Sequence, residues 1–336
     1  MGVVAVLGTD HSPQLAGRGY EPALLRAYLA RVLPTAICIE APAEGAIPDF
    51  VYEAQHVAVP FAQAEGIPVY PIDWIPSSED QMLAWGVPDL LAPPLIRKQF
   101  RTFSEVPQGL FFAEEASCRA KIEAWQDSPR AAGERDFPRR LSLYRTFMQA
   151  MKVKRAAANH PDGLTLVIVG YMHKYDIEEV LGGGLVQPSN LGAPTPAEVV
   201  AARTPQDDWA VLSFNLLGQQ VPLDRAWIEE VLQRAPSGAE AELFRARFAG
   251  AGPDVYRAIA ARQDADRPFT FDGVVDRSRL DSYYDPFGNL SIRQRALLAA
   301  DGPEAIRPEL SGLQASQLAA YWPAYGRGSP DHPPAG

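Results

Sequence analysis

Short unbroken apolar runs alternate with segments of helical period over the first 75 residues. Val3-Val4-Ala5-Val6-Leu7 is a continuous run of the kind found in strands covered on both faces. A helix is predicted over 21–33, where Leu24, Leu25, Tyr28, Leu29 and Val32 recur on one face. A second strand is predicted over 36–40. A second helix is predicted over 48–65, with Phe50, Val51, Ala54, Val57, Ala58 and Phe61 on one face and Gly66 at its end. The run 68–72 forms a third strand whose prolines suit it poorly to a central place. Strands separated by helices of this length pair in parallel through right-handed crossovers. From 77 to 138 the pattern breaks into short pieces rich in Trp, Phe and Pro. Helix returns over 141–158, then a strand over 164–169 and a helix over 177–181 closed by Gly182-Gly183-Gly184. Residues 187–205 look loop-like. A strand is predicted over 209–217, helices over 224–233 and 239–249, and a late strand over 269–275. The expectation is an α/β fold, with a mainly parallel central sheet flanked by helices. Its core is drawn from 1–76 and 139–325, a helical cap or insert occupies 77–138, and 326–336 is a disordered tail.

Composition narrows the class. Of 336 residues, 47% are hydrophobic and 21% charged, the balance of a globular enzyme rather than a disordered chain. A net charge of −10 without a long basic run argues against nucleic acid. No apolar stretch approaches the roughly 20 residues of a membrane span. Met1 leads into a strand with no basic region or cleavage site, so a cytoplasmic protein is expected. Arginine in excess of lysine, with frequent Ala and Pro, suggests a GC-rich bacterial genome. Cys38 and Cys118 form no Cys-x-x-Cys motif, and Cys38 lies in an apolar run as a buried hydrophobe.

The chemistry concentrates in two phrases, Gly8-Thr9-Asp10-His11 and Gly170-Tyr171-Met172-His173, each placed directly after an apolar strand run. Glu40 ends the second strand and Asp73 follows the third. The carboxyl ends of parallel strands share one edge, so His11, Glu40, Asp73 and His173 are expected to face one crevice. Gly8 and Gly170 suit turn conformations and close approach of a ligand to the backbone. Two imidazoles and a carboxylate form a first shell for a divalent metal (Zn, Mn or Fe), whose bound water loses a proton near neutrality. The same residues also support metal-free chemistry, one histidine acting as general base while Glu40 fixes its tautomer. Both readings stand on the sequence.

The opening run through His11 resembles the start of the TraB/Tiki proteins, which group with the erythromycin esterase and ChaN-like proteins. The resemblance extends to Ile37-Cys38-Ile39-Glu40, to the helix piece Leu143-Tyr144-Arg145-Thr146, to Val167 through His173, and to Phe271-Asp272-Gly273-Val274-Val275-Asp276. It implies that His11, Glu40 and His173 form the catalytic centre, with Arg145 supporting it or meeting a substrate anion. Thr9 and Asp10 replace the glutamate of the esterase motif Gly-Glu-x-x-His. Asp10, Asp73 and Tyr171 join Arg145 as substrate-binding candidates.

Other patterns weigh less. Glu53 and His56 share a helix face, but one Glu-x-x-His pair is half of a di-iron site, so a solvated or partly buried face is expected. His160 and His332 fall in a loop and the tail. Gly182-Gly183-Gly184 lacks the ending of a phosphate loop, and neither Ser12 nor Ser142 sits in a nucleophile elbow. Trp74, Trp85, Phe100, Phe103, Phe111 and Phe112 suit core packing or the lining of an apolar pocket. The sequence therefore points to a hydrolase of an ester, lactone or amide in a small molecule or peptide. Two alternatives are a non-hydrolytic acid–base enzyme catalysing elimination, cyclisation or rearrangement, and a haem- or metal-binding protein without turnover.

Overall fold

The computed structural model describes residues 2–43, 47, 51–85, 109–126, 136–217, 224–235, 237–263, 290–312, 314–315 and 318. The chain divides into two compact units. The first comprises Met1–Gln14, Gly19–Ala92 and Glu105–Ala202; the second comprises Leu15–Arg18, Pro93–Ser104 and Arg203–Gly336.

In the first unit, strand β1 (Val3–Thr9) leads to helix α1 (Pro22–Val32) and strand β2 (Ala36–Pro42). Proline at the first turn and a left-handed Leu33 bound α1. A π-helical segment (Glu53–Ala58) runs into helix α2 (Val59–Glu65), ended by Gly66 at φ 67°. Strand β3 (Val69–Asp73) follows, then helices α3 (Ser78–Trp85), α4 (Ala116–Gln126) and α5 (Asp136–Ala158). Strand β4 (Leu164–Gly170) passes without a loop into helix α6 (Tyr171–Leu181), and helix α7 (Pro196–Ala201) starts with a Thr195–Glu198 capping box.

The four strands form one all-parallel sheet in the order β1-β4-β2-β3. Proline-bearing β3 lies at an edge, where a missing N–H costs least. Alternation sorts the side chains. Val4, Val6, Cys38, Ile72, Val167 and Val169 pack with Ala150, Val153, Ala156 and Ala157 of α5 and Ile177 and Leu181 of α6. The intervening Ala5, Leu7, Ile37, Ile39, Leu166 and Ile168 are buried on the opposite side. Thr9 shares their parity and meets Glu53 of the π-helical segment there.

The described part of the second unit is helical, with α8 (Pro205–Leu212), a π-helical turn (Ser213–Leu217), α9 (Arg225–Arg234), α10 (Ala239–Phe248), α11 (Pro253–Ala261) and α12 (Ile292–Asp301). Trp209, Trp227 and Phe244 are buried in it. Thr204, Asp224 and Ser291 cap α8, α9 and α12.

Several expectations change. Residues 209–217, expected as a strand, are helical: Thr204, Pro205 and Asp207 start a helix there, and Trp209, Ala210, Val211 and Leu212 are buried on all sides. The loop-like stretch 187–205 contains a 3-10 turn (Pro188–Leu191) and α7. His173 lies in the first turn of α6 rather than in a loop. Gly8 belongs to β1, and Gly170 has φ −52°, so neither adopts a glycine-specific turn. The predicted strand 269–275, the tail 326–336 with His332, and the insert segments 86–108 and 127–135 lie outside the described residues. Among the described residues no helix is long and apolar enough to cross a membrane.

Candidate active site

Strand register assembles the site. Thr9 pairs with Gly170, Ile39 with Ile168 and Pro42 with Asp73, so the carboxyl ends of all four strands share one edge. The chain leaves β4 into α6 on the Val4/Val6 side, whereas Glu53, downstream of β2, meets Thr9 on the other side. Neighbouring strands whose continuations part to opposite faces open a crevice at their ends.

Arg145 organises the floor. Its Nε and Nη2 donate to Asp73 Oδ1 and Oδ2, both at 2.8 Å, in a bidentate pair. Gln149, one turn along α5, donates to Asp73 Oδ1 at 2.9 Å, and Lys152, a further turn on, donates to the Asp73 carbonyl. Arg145 Nη2 also donates to Glu40 Oε1 at 2.9 Å, while the Gly170 amide donates to Oε2 at 2.6 Å. Burial alone would raise the Glu40 carboxyl; His173, Arg145 and His11 outweigh it and hold the group well below the usual carboxylate range. Burial disfavours the Arg145 charge too, but Asp73 and Glu40 make it a more secure cation than usual.

The two histidines differ in their supports. His11 adopts a left-handed backbone at φ 48°, unusual for a side chain with a Cβ. Its Nδ1 lies 2.6 Å from Glu53 Oε1, which also accepts from the Thr9 hydroxyl at 2.8 Å. Its Nε2 faces Glu40 Oε2 at 3.8 Å, beyond hydrogen-bond distance. Burial disfavours the imidazolium, yet Glu53, Glu40 and Asp10 together push His11 up to about 9. Asp10 is itself pushed up to about 7, by burial first and Glu53 in addition, against the pull of His11. Its amide donates to the Tyr20 hydroxyl at 2.7 Å.

His173 Nδ1 lies 2.6 Å from the Thr146 hydroxyl, which donates back to the Ser142 carbonyl at 3.1 Å. With that hydrogen spent, Thr146 accepts from Nδ1–H, an assignment resting on the hydrogen-bond network. His173 Nε2 then faces Glu40 Oε1 at 3.5 Å and Arg145 Nη1 at 3.4 Å.

Five of the residues expected at the site, His11, Glu40, Asp73, Arg145 and His173, are therefore brought together, with Asp10 beside them. Tyr171 instead packs edge-on against Phe112 at 5.7 Å, within a cluster holding Tyr20, Ala113, Cys118 and Ile122. Burial pushes its hydroxyl up to about 12. Trp74 and Tyr144 form an edge-to-face pair beside Asp73 and Arg145. Two expectations change. Glu53, rather than Glu40, is the carboxylate within hydrogen-bond distance of His11, at Nδ1, and Glu53 and His56 lie 0% and 4% exposed rather than on a solvated or partly buried face. The sequence signal for Glu53 was a carboxylate set among Val51, Tyr52, Ala54, Val57 and Ala58, a stretch otherwise interrupted only by Gln55 and His56. Thr146 and Gln149 were given no role, although Gln149 lies one turn from Arg145 on the same face of α5 and Thr146 one turn from Gln149.

The arrangement does not fit a divalent metal. An ion joining His11, Glu40 and His173 would meet the Arg145 guanidinium, which already spans Glu40 and His173 and is locked by Asp73. Among the described residues no group of three or more His, Cys, Asp or Glu side chains has metal-holding geometry. Comparison with protein-family models, curated proteins and solved structures gave no match.

Proposed function

We propose that this crevice is the active site of a metal-independent hydrolase acting on an ester, lactone or amide. One observation carries the reading: two imidazoles face a single carboxylate, Glu40, but their Nδ1 atoms rest on opposite kinds of partner, a carboxylate for His11 and a hydroxyl for His173. Paired groups whose surroundings differ in this way divide into an acid and a base. His11, with carboxylates facing both ring nitrogens, is the acid. His173, with a neutral partner and a neighbouring guanidinium, is the base.

His173 Nε2 accepts a proton from water as the water oxygen bonds to the substrate carbonyl carbon. The carbonyl oxygen takes up the electron pair, and Arg145 Nη1 is the nearest fixed cationic donor to it. Collapse expels the leaving oxygen or nitrogen, which receives the Nε2 proton of His11. Asp73, Gln149 and Lys152 hold the guanidinium in place. The resemblance of these residues to the TraB/Tiki and erythromycin esterase group supports hydrolysis as the reaction class.

The test is turnover on a panel of esters, lactones and amides in H₂¹⁸O, with and without EDTA. One ¹⁸O per product acid, indifference to EDTA, and a loss of about 10² to 10⁴-fold in H11A and H173A are expected. Turnover retained in both variants, or lost to EDTA and restored by Zn or Mn, overturns the proposal. Product free of ¹⁸O overturns it in favour of elimination, cyclisation or rearrangement by the same pair.

A further inference from the structure

We infer that Glu53 is a positioning residue that locks His11 in its Nδ1–H form, so that proton traffic at this histidine runs through Nε2 alone. The inference deepens the proposed function and rests on His11 being the acid. Glu53 is fully buried, a costly place for a carboxylate without a task. Its two oxygens are used unequally: Oε1 accepts from His11 Nδ1 and the Thr9 hydroxyl, while Oε2 has no hydrogen-bond partner among the described residues. A carboxylate buried only to tie segments together gains from using both oxygens. Here a single oxygen meets both the imidazole and the Thr9 hydroxyl, and the imidazole is the nearer at 2.6 Å.

The backbone on both sides is bent to make that contact. Glu53 opens a π-helical segment, whose wider turn changes which residues face the sheet. His11 is left-handed at φ 48°. Thr9, the residue of β1 paired with Gly170, clamps Oε1 from the third side. The pairing therefore joins the ends of two strands' continuations through one oxygen. When His11 gives its Nε2 proton to the leaving group, the Nε2–H bond breaks and the leaving-group bond to hydrogen forms. The Nδ1–H bond stays intact, donated to Glu53. Among the described residues, the other charged or titratable groups around this imidazole include Asp10 beside it, Tyr20 against Asp10, Glu40 from β2, Arg145 from α5 and His173 from α6.

The experiment is two-bond ¹H–¹⁵N spectroscopy of ¹⁵N-histidine-labelled full chain, in parallel with pH–rate profiles. Glu53→Gln keeps the acceptor oxygen and removes the charge; Glu53→Leu removes both. In the parent protein at alkaline pH, His11 is expected as the Nδ1–H tautomer, protonating near 9. In E53Q its titration moves toward the ordinary histidine range and the alkaline limb of kcat/KM moves with it. In E53L the neutral ring takes the Nε2–H form, and kcat falls about 10² to 10⁴-fold with KM within about twofold. An unchanged His11 titration in folded E53Q overturns the inference even if E53L does not fold. The spectra need no turnover. A shifted tautomer in a protein without hydrolytic activity sinks the proposed function alone, and an unshifted one in an active hydrolase sinks the role of Glu53 alone.

Discussion

The glycines of the paired motifs separate stability from activity when each receives a single methyl group. At Gly170 an added Cβ would lie 2.9 Å from His11 Nε2 and 3.1 Å from Glu40 Oε2. Its φ of −52° and ψ of 133° suit alanine, so the backbone bears no strain. Carbon contacts settle at about 3.5 Å, so the imidazole and carboxylate must retreat by about half an ångström. Gly→Ala at a compatible site stabilises by about 0.4–1 kcal/mol through the unfolded state, which offsets much of the crowding. A displacement of about 1 Å costs about 10²-fold in rate, so Gly170→Ala should lose about tenfold in kcat with stability within about 1 kcal/mol of the parent. Gly8 differs. Its Cβ would meet Ala113 Cβ at 2.7 Å, Tyr171 Cα at 3.1 Å and Lys174 Cδ at 3.2 Å, and the first two have no rotamer by which to escape. Overpacking of this kind costs about 1–3 kcal/mol, so Gly8→Ala should lower the urea midpoint while folded molecules keep most of their kcat. Urea unfolding followed by tryptophan fluorescence, alongside kcat and KM, reads both. A destabilised but fully active G170A, or a stable and inactive G8A, would refute the reasoning.

Two further perturbations test the electrostatic frame. Arg145→Met leaves Glu40 and Asp73, each 4% exposed, without their cation, and should cost about 3–5 kcal/mol in urea unfolding. A loss below about 1 kcal/mol would show that the guanidinium is not what stabilises the pair. His11, raised to about 9 from an ordinary 6.5, contributes stability that is complete below about pH 6.5 and disappears as pH rises through 9, on the order of 3 kcal/mol. Glu40 is shifted the other way, so its contribution is present above the ordinary carboxylate value and is lost as pH falls through its depressed one. Urea midpoints should therefore fall more between about pH 7.5 and 10, above the titration of Asp10, in the parent than in His11→Asn, whose side chain tolerates the left-handed backbone; equal declines in the two contradict the assignment.

The sheet was legible because its strands are short apolar runs separated by helices of crossover length, a pattern that fixes parallel pairing before any register is known. Placement of His11, Glu40, Asp73 and His173 followed from their positions at strand ends. What escaped depended on burial in three dimensions. Trp209 to Leu217 is apolar but for Ser213 and Asn215, and such a run does not distinguish a covered strand from a covered helix; only the Thr204-Pro205 start and the acidic pair Asp207-Asp208 favoured helix. Glu53 escaped for a related reason. A helical wheel at the ordinary period places it with His56, whereas the π-helical turn and the reach of His11 decide its partner. Thr146 and Gln149 carry ordinary helix-surface chemistry, and only the buried Asp73 and His173 give them a purpose.

The strand order β1-β4-β2-β3 also governs how the chain reaches its native state. β2 and β3 are consecutive and adjacent, so they can pair as soon as both exist. β1 is different: among the described residues its partners are β4, with Val3 against Leu164, and the bridge to Leu185. During synthesis the first strand therefore waits, unpaired, until most of the first unit has left the ribosome. Such non-local closure is slow and leaves an apolar edge open meanwhile. Insertion of β4 between β1 and β2 brings Gly170 under Glu40 and beside His11 in the same step. Completion of the sheet and assembly of the proposed site are one event, so a nascent or truncated chain lacking β4 carries His11 and Glu40 without Gly170 and His173 beside them.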